Sequence, residues 1–315
     1  MKENNKELIS KSTREKLCSL YSDLPVEQEI LVDRIKDEIL KNISRYAKMT
    51  DFNEPVKKVD TLFFKRVANY SENDQAVLRC ALVAKLALHL PAIVNKLNLP
   101  ESIILLYPDA FDRLAEFLNI TCTQPYDSTT EFFCKDVRFV LGLSIPNGAI
   151  ITDMFSHVSI FSVILSLFRT RRISGIIKYA SVKGIGSWFR GHIDSRYLTD
   201  VNERGFDNAF CRTAELLLRK NDVRGYVGTS WLHDPPLSFV SPHLAYFQKW
   251  PREGGAFLLR HATEHSDIES AIRTSKTRRQ LFQEGKYIPV CYSMLWPRDK
   301  LIAWAKQVTK SSTHD

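Results

Sequence analysis

An α/β fold preceded by an all-helical layer is what this chain of 315 residues predicts, on three observations. The first 120 residues repeat apolar side chains at helical spacing and carry little chemistry. Past residue 130 the apolar runs shorten, gain β-branched residues and are separated by Gly and Pro, which is strand punctuation. Between residues 190 and 260 strand-like and helix-like runs alternate, as in an α/β unit. The expected divisions are a helical region over 1–130, an α/β domain (α+β, one mixed sheet flanked by helices) over 131–308, and a disordered tail over 309–315.

Apolar residues at 44% and charged residues at 25% are globular proportions and argue against a disordered chain. The net charge of +8 favours an anionic partner: a small anionic ligand, nucleic acid or a membrane surface. The opening run MKENNKELISKSTREKL is charged and lacks the apolar core of an export signal. Six scattered cysteines form no CxxC pair, so reduced thiols and a cytoplasmic location are expected.

Taken in order, VEQEILVDRIKDEILKNI reads as a helix, with Ser22 or Asp23 as its cap ahead of Pro25. AVLRCALVAKLALHL is apolar on nearly all sides, as a buried helix is, and makes His89 a packed core histidine. Pro91 and Pro100 are expected to break this region before PESIILLYPDAFDRLAEFL resumes helix. ITCTQPYDSTTEFF reads as a connector, and VRFVLGLSIP and NGAIITDMF as strands. The apolar run from Met154 to Phe168 falls short of the roughly 20 residues of a spanning helix. No transmembrane span is expected there. The run reads as a core helix or strand pair, or as an interfacial segment held by Arg169, Arg171 and Arg172. Six basic residues and no acid stand between Arg169 and Arg190. Among them Lys183-Gly-Ile-Gly-Ser-Trp-Phe reads as a solvated loop, or as one whose amides hold a phosphate.

FDNAFCRTAELLLRK is an amphipathic helix with Phe206, Phe210, Ala214, Leu217 and Leu218 on one face. It leads to a strand, Arg224–Trp231, in which Gly228 marks a bulge or the close approach of a ligand. SPHLAYFQKW begins a helix with Pro242 at its first position. AFLLR is a further strand, and the remainder alternates helix, a strand near Ile288–Leu295, and a last helix capped by Asp299.

Seven of the eight histidines lie beyond residue 150, so histidine chemistry belongs to the second region. Three activities compete. His192-x-Asp194 with His243 or His261 has the make-up of the two-His-one-carboxylate site of non-haem iron oxygenases, Arg252 or Arg260 then holding 2-oxoglutarate. Gly228-Thr-Ser230-Trp-Leu232 lacks the last glycine of a nucleophile elbow, so a serine hydrolase loses its main support. Acyl transfer from a thioester needs a base, oxyanion donors and a cationic surface for phosphates, and requires no metal. His192 with Asp194 supply the base region, and Ser230 with Asp234 the adjoining wall. Arg196, Tyr197, Gly228, Trp231 and His233 are the candidate contacts to substrate, and Arg278 and Arg279 those to the acceptor or the phosphates.

The run SWLHDPPL, with His192 upstream across an intervening helix, resembles the SWLLDPxL-type segment of GNAT-like acyltransferase domains. The order strand 193–198, helix 206–220, strand 224–231, helix 241–250, strand 256–260 is similar to the central part of the GNAT fold. The chain departs from the acyl-CoA signature R/Q-x-x-G-x-G/A, of which Asn202-Glu-Arg-Gly205-Phe-Asp keeps only the first glycine. The resemblance covers about 80 of the 315 residues and implies an acyl-CoA or acyl-ACP donor and an amine acceptor. A non-enzymatic alternative remains in the basic charge and the aromatics Trp188, Phe189, Tyr197 and Trp250, which suit a nucleic-acid or membrane-binding module. No RRM, helix-turn-helix or zinc pattern accompanies them.

Overall fold

The computed structural model describes residues 7–49, 51–121, 126–171 and 173–311. They form an α+β protein, with helices before and around one mixed six-stranded sheet. Two compact units divide the chain. The first runs to Asn147 and includes Asp153–Phe155, and the second takes Gly148–Thr152 and the described residues from Ser156 on. The expected boundary at residue 130 therefore falls inside the first unit, at the start of a helix.

The first unit contains α1 (Lys11–Ser22), α2 (Val26–Lys41), α3 (Ile43–Tyr46), α4 (Glu54–Val67), α5 (Glu72–Val94), α6 (Glu101–Ile104), α7 (Tyr107–Thr121), α8 (Glu131–Val140) and strand β1 (Ser144–Pro146). Helix α5 is its axis, with α1, α2, α7 and α8 packed against it. Ser71 caps it by accepting from the Asp74 amide at 3.2 Å. By length and composition α5 is the one helix among the described residues that could cross a membrane, yet 61% of that apolar window is buried. Its Lys85 ammonium donates to Glu29 at 3.0 Å and Asp33 at 2.8 Å, which ties it into a protein core. Pro91 does not end this helix but lies inside it, because packing of Leu86, Ala87 and Leu90 holds the last turn in place. His89 is exposed rather than packed in the core. Neither Ser22 nor Asp23 caps α2: Asp23 closes α1, and Pro25 occupies the N-cap.

The first part of VRFVLGLSIP, expected as strand, is the end of α8. Phe133, Val137 and Val140 recur at i, i+4 and i+7 and are all buried, so tertiary packing selects helix over the β-branched preference. Strand begins only at Ser144.

Strand β2 (Ile151–His157) is divided, its Asp153–Phe155 counting with the first unit and its two ends with the second, which continues through α9 (Ile160–Thr170), α10 (Ser174–Ser181), β3 (Ser187–His192), a 3₁₀ turn (Ser195–Asp200), α11 (Glu203–Arg219) and β4 (Val223–Ser230). A second 3₁₀ turn (Trp231–His233), α12 (Leu237–Val240), a third (Pro242–Leu244), α13 (Tyr246–Glu253), β5 (Phe257–Arg260), α14 (His265–Arg273), α15 (Lys276–Gln283), β6 (Tyr292–Pro297) and α16 (Arg298–Ser311) complete it. Sheet order is β1-β2-β3-β4-β6-β5. β3 and β4 are parallel, joined by α11, while β6 runs antiparallel between β4 and β5. One face of the sheet buries Trp188, Val227, Phe257, Leu259 and Leu295 under Val163 of α9 and Tyr179 of α10. On the other, Phe210 of α11 meets Tyr226, Trp296 and Trp304 edge-on.

Four expectations change here. The first strand of the α/β unit is Ser187–His192 and not 193–198, since Trp188 and Phe189 are wholly buried. The Lys183-Gly-Ile-Gly run is a helix ending rather than a phosphate cradle: the Lys183 and Gly184 amides bond to Ala180 and Tyr179 carbonyls. Leu218 is exposed, off the buried face of α11. Of the expected tail, residues 309–311 continue α16, and 312–315 lie outside the described residues.

Candidate functional site

The carboxyl ends of β3, β4 and β5 and the start of β6 meet at one end of the sheet. Ser230 is opposite Tyr292, and Tyr292 is opposite Arg260, so a single rung crosses β4, β6 and β5. The turn after β4 is built by its own side chains. Ser230 Oγ accepts from the Leu232 amide at 3.1 Å, and Gln248 donates from α13 to the carbonyls of Leu232 and Asp234 at 3.1 and 2.7 Å. The Val290 amide donates to Asp234 Oδ2 at 3.2 Å. Burial raises the Asp234 pKa, against the lowering pull of that amide, the neighbouring Tyr287 phenol and the Arg260 charge. Tyr287 is held protonated above its usual range by burial and by the Asp234 charge.

Gly228 carries no bulge: the β4–β6 ladder is regular from Gly225 to Ser230, and the register shift falls between Ser187 and Phe189. What glycine supplies at 228 is room for a histidine. A Cβ there would stand 3.0 Å from Nε2 of His233. Buried at 8% exposure, His233 has its pKa pulled down to about 4 by desolvation and stays neutral at pH 7. Its Nδ1 has no hydrogen-bond partner among the described residues.

The remaining sequence candidates separate. Alternation along β3 puts His192 on the α9–α10 face with Trp188, whereas Gly191, register partner of Gly228, is on the face of Tyr226. His192 and the corner thus share an end of the sheet but not a face. Asp194, fully buried, is held by the Arg196 fork (Nη2–Oδ2 2.8 Å) and accepts from the Arg196 amide at 2.9 Å, so it serves as cap and ion-pair partner. Tyr197 lies in the same turn. Arg278 is buried, donates to Ser241 Oγ at 2.9 Å and to the Ala271 carbonyl, and stacks 5.0 Å from the Trp231 ring. It is a clamp for the corner, its guanidinium turned to protein partners and not to an acceptor or phosphates. Exposed Arg279 donates to the Arg273 carbonyl at 2.7 Å. His243 is exposed, and among the described residues no three His, Cys, Asp or Glu side chains converge to hold a metal, so the iron triad is not assembled.

Beside the rung, at the edge strand β5, a cavity of about 400 Å³ opens between Ser166 and Arg169 of α9, Ser174 of α10, Pro235, Arg260 and Tyr292. Its lining holds two arginines and no acid. The Arg260 amide donates to Ser166 Oγ at 2.9 Å, and its guanidinium to the Arg169 carbonyl at 3.3 Å. Arg169 and Arg260 stood out in the sequence as cations. Ser166, Ser174 and Tyr292 did not, because only the β5–β6 pairing and the packing of α9 and α10 bring them together. The five described cysteines, Cys18, Cys80, Cys134, Cys211 and Cys291, form no disulfide. Comparison with known proteins finds no family model, no curated protein and no solved structure that matches this chain.

Proposed function

We propose that this end of the sheet takes a phosphate-bearing thioester, an acyl-CoA or acyl-ACP, and passes its acyl group to an amine. One observation carries the reading: the β3–β4 ladder ends at Gly191–Gly228, while β4 runs on beside β6 to Ser230. Open α/β sheets bind ligands outside the carboxyl ends of their strands, and β3, β4 and β5 all end here. Past Gly228 the side of β4 that faces β3 is an edge, onto which an amide-bearing arm can add as extended peptides add to sheets. The cavity with Arg169 and Arg260 suits phosphates through charge-assisted hydrogen bonds. The likeness of SWLHDPPL to GNAT-like domains points the same way.

In this reaction the amine nitrogen attacks the thioester carbonyl carbon. A C–N bond forms, the C–S bond breaks, the nitrogen's proton passes to a base, and the thiolate leaves to take up a proton. His192 is the base in this reading, since an arm lying where the strands part meets side chains of both sheet faces. Ser230 already accepts the Leu232 amide, which leaves its own hydroxyl proton for the carbonyl oxygen or the departing sulfur. Asp194, Asp234, Trp231, His233 and Arg278 hold the strand ends in position.

The test is thermal stabilisation by an acyl-CoA set beside 2-oxoglutarate, followed by thiol release with an amine acceptor. Stabilisation by the thioester alone is expected, and R169A/R260A should remove it. H192A should lower turnover by about 100-fold or more while leaving the stabilisation in place. Equal response to both ligands, or no thiol release from a panel of acyl-CoA and acyl-ACP donors, overturns the assignment.

A further inference from the structure

We propose that the outward face of α9 and α10 docks the second unit onto an anionic lipid bilayer. Helix α9 is apolar on two sides. Val163 faces the sheet core, and Ser166 Oγ, on that inner side, accepts the Arg260 amide at 2.9 Å. Away from the sheet, Ile160, Phe161, Ile164 and Phe168 form a stripe at i, i+1, i+4 and i+8, and all four are exposed. Ile173, just before α10, and Ile177 within it are exposed four residues apart. Val163 and Tyr179 belong to one core cluster on one sheet face, so the outer sides of both helices form a common surface.

Six large apolar side chains side by side are not the scattered single exposures of a soluble surface. Phe161 and Phe168 are 67% and 73% exposed, which for aromatic side chains corresponds to roughly 200–350 Å² between them before the isoleucines are counted. Such a surface needs a cover, and the charges around it select one. Arg169, Arg171, Lys178 and Lys183 are all exposed, and the sequence holds no Asp or Glu from Met154 to Ile193. A second copy of this face would bring like charges together. Nucleic acid would satisfy the cations and leave the phenylalanines in water. A bilayer with anionic headgroups takes both, burying the apolar stripe at the acyl boundary and pairing the basic rim with lipid phosphates.

Co-sedimentation of the full chain with phosphatidylglycerol–phosphatidylcholine vesicles, against vesicles of phosphatidylcholine alone, tests this. Binding should require the anionic lipid and weaken with added salt. F161S/F168S and K178E/K183E should each reduce partitioning by about tenfold or more, with unchanged circular dichroism and melting temperature because all four side chains are exposed. The proposal is overturned if the wild type binds both vesicles alike, or if the variants bind as the wild type does. It is also overturned if the wild type ignores vesicles and instead forms a concentration-dependent dimer that F161S/F168S dissolves.

Discussion

His233 is a buried imidazole whose Nδ1 has no partner among the described residues, and the chain accommodates it by leaving the facing position, Gly228, without a Cβ. Burial lowers its pKa from 6.5 to about 4, and this has a consequence for stability. Unfolded, the ring takes up a proton as the pH falls through 6.5; folded, it stays neutral down to about 4. Between those values the unfolded state binds more protons, so lowering the pH costs folding free energy, up to roughly 3 kcal/mol. Asp207 works in the opposite sense. Desolvation first, then Glu203, raises its pKa to about 6, so stability from this group is gained as the pH falls and lost as it rises through that value. The wild-type profile alone is therefore flattened, and the two groups must be separated by substitution. Against the wild type, H233Q should be relatively more stable near pH 4.5 than near pH 7 by about 2–3 kcal/mol, read from urea midpoints at both values. Parallel profiles for the two proteins would show that the ring is not held neutral.

At the level of elements, what could be read ahead of the structure depended on whether local pattern and tertiary burial agree. Helix α11 and strand β4 were legible because Phe206, Phe210, Ala214 and Leu217 repeat at helical spacing and Asn221-Asp222 then turns the chain. Strand β3 was not, because Trp188 and Phe189 sit among glycines and cations that imitate a loop. Helix α8 reads in the sequence as connector over residues 131–133 and as strand from Val137 on, because Thr and Ser precede it and its valines favour β structure, and only the first unit's core decides otherwise. That helix also carries a buried charge. Arg138 donates to Asp153 Oδ1 at 3.2 Å, to Ser144 Oγ at 3.1 Å and to the Phe52 carbonyl at 2.9 Å, with both ionic side chains 3% exposed. R138L takes the guanidinium away from the buried Asp153 carboxylate, to which Ser144 still donates, and should cost about 3–5 kcal/mol. R138L/D153N should recover most of that loss, since the uncompensated charge is gone. Denaturant titration of the two variants decides it, and a single-variant cost below about 1 kcal/mol would show that water reaches the site.

Across the whole molecule, composition and the switch from helical to mixed patterning made two regions legible, but the line between them depends on which core each segment enters. The same holds for the candidate site. The corner at Ser230–Asp234 could be read from one stretch, whereas the cavity needs residues from α9, α10, β5 and β6 that no sequence window unites. Fragments make the boundary measurable. A piece starting at residue 131 carries α8 with Phe133, Val137 and Val140, whose burial belongs to the first unit. Stripped of that unit, these side chains form an exposed apolar stripe of the sort that drives association. A piece spanning 148–311 omits them and keeps β2 to β6 with both helical layers. The shorter piece should therefore elute as a single species and melt cooperatively, while the longer one, despite its extra helix, should aggregate in size-exclusion chromatography. If the 131–311 piece proves the better behaved of the two, α8 is covered by the second unit's own surface, and the division belongs near residue 130 after all.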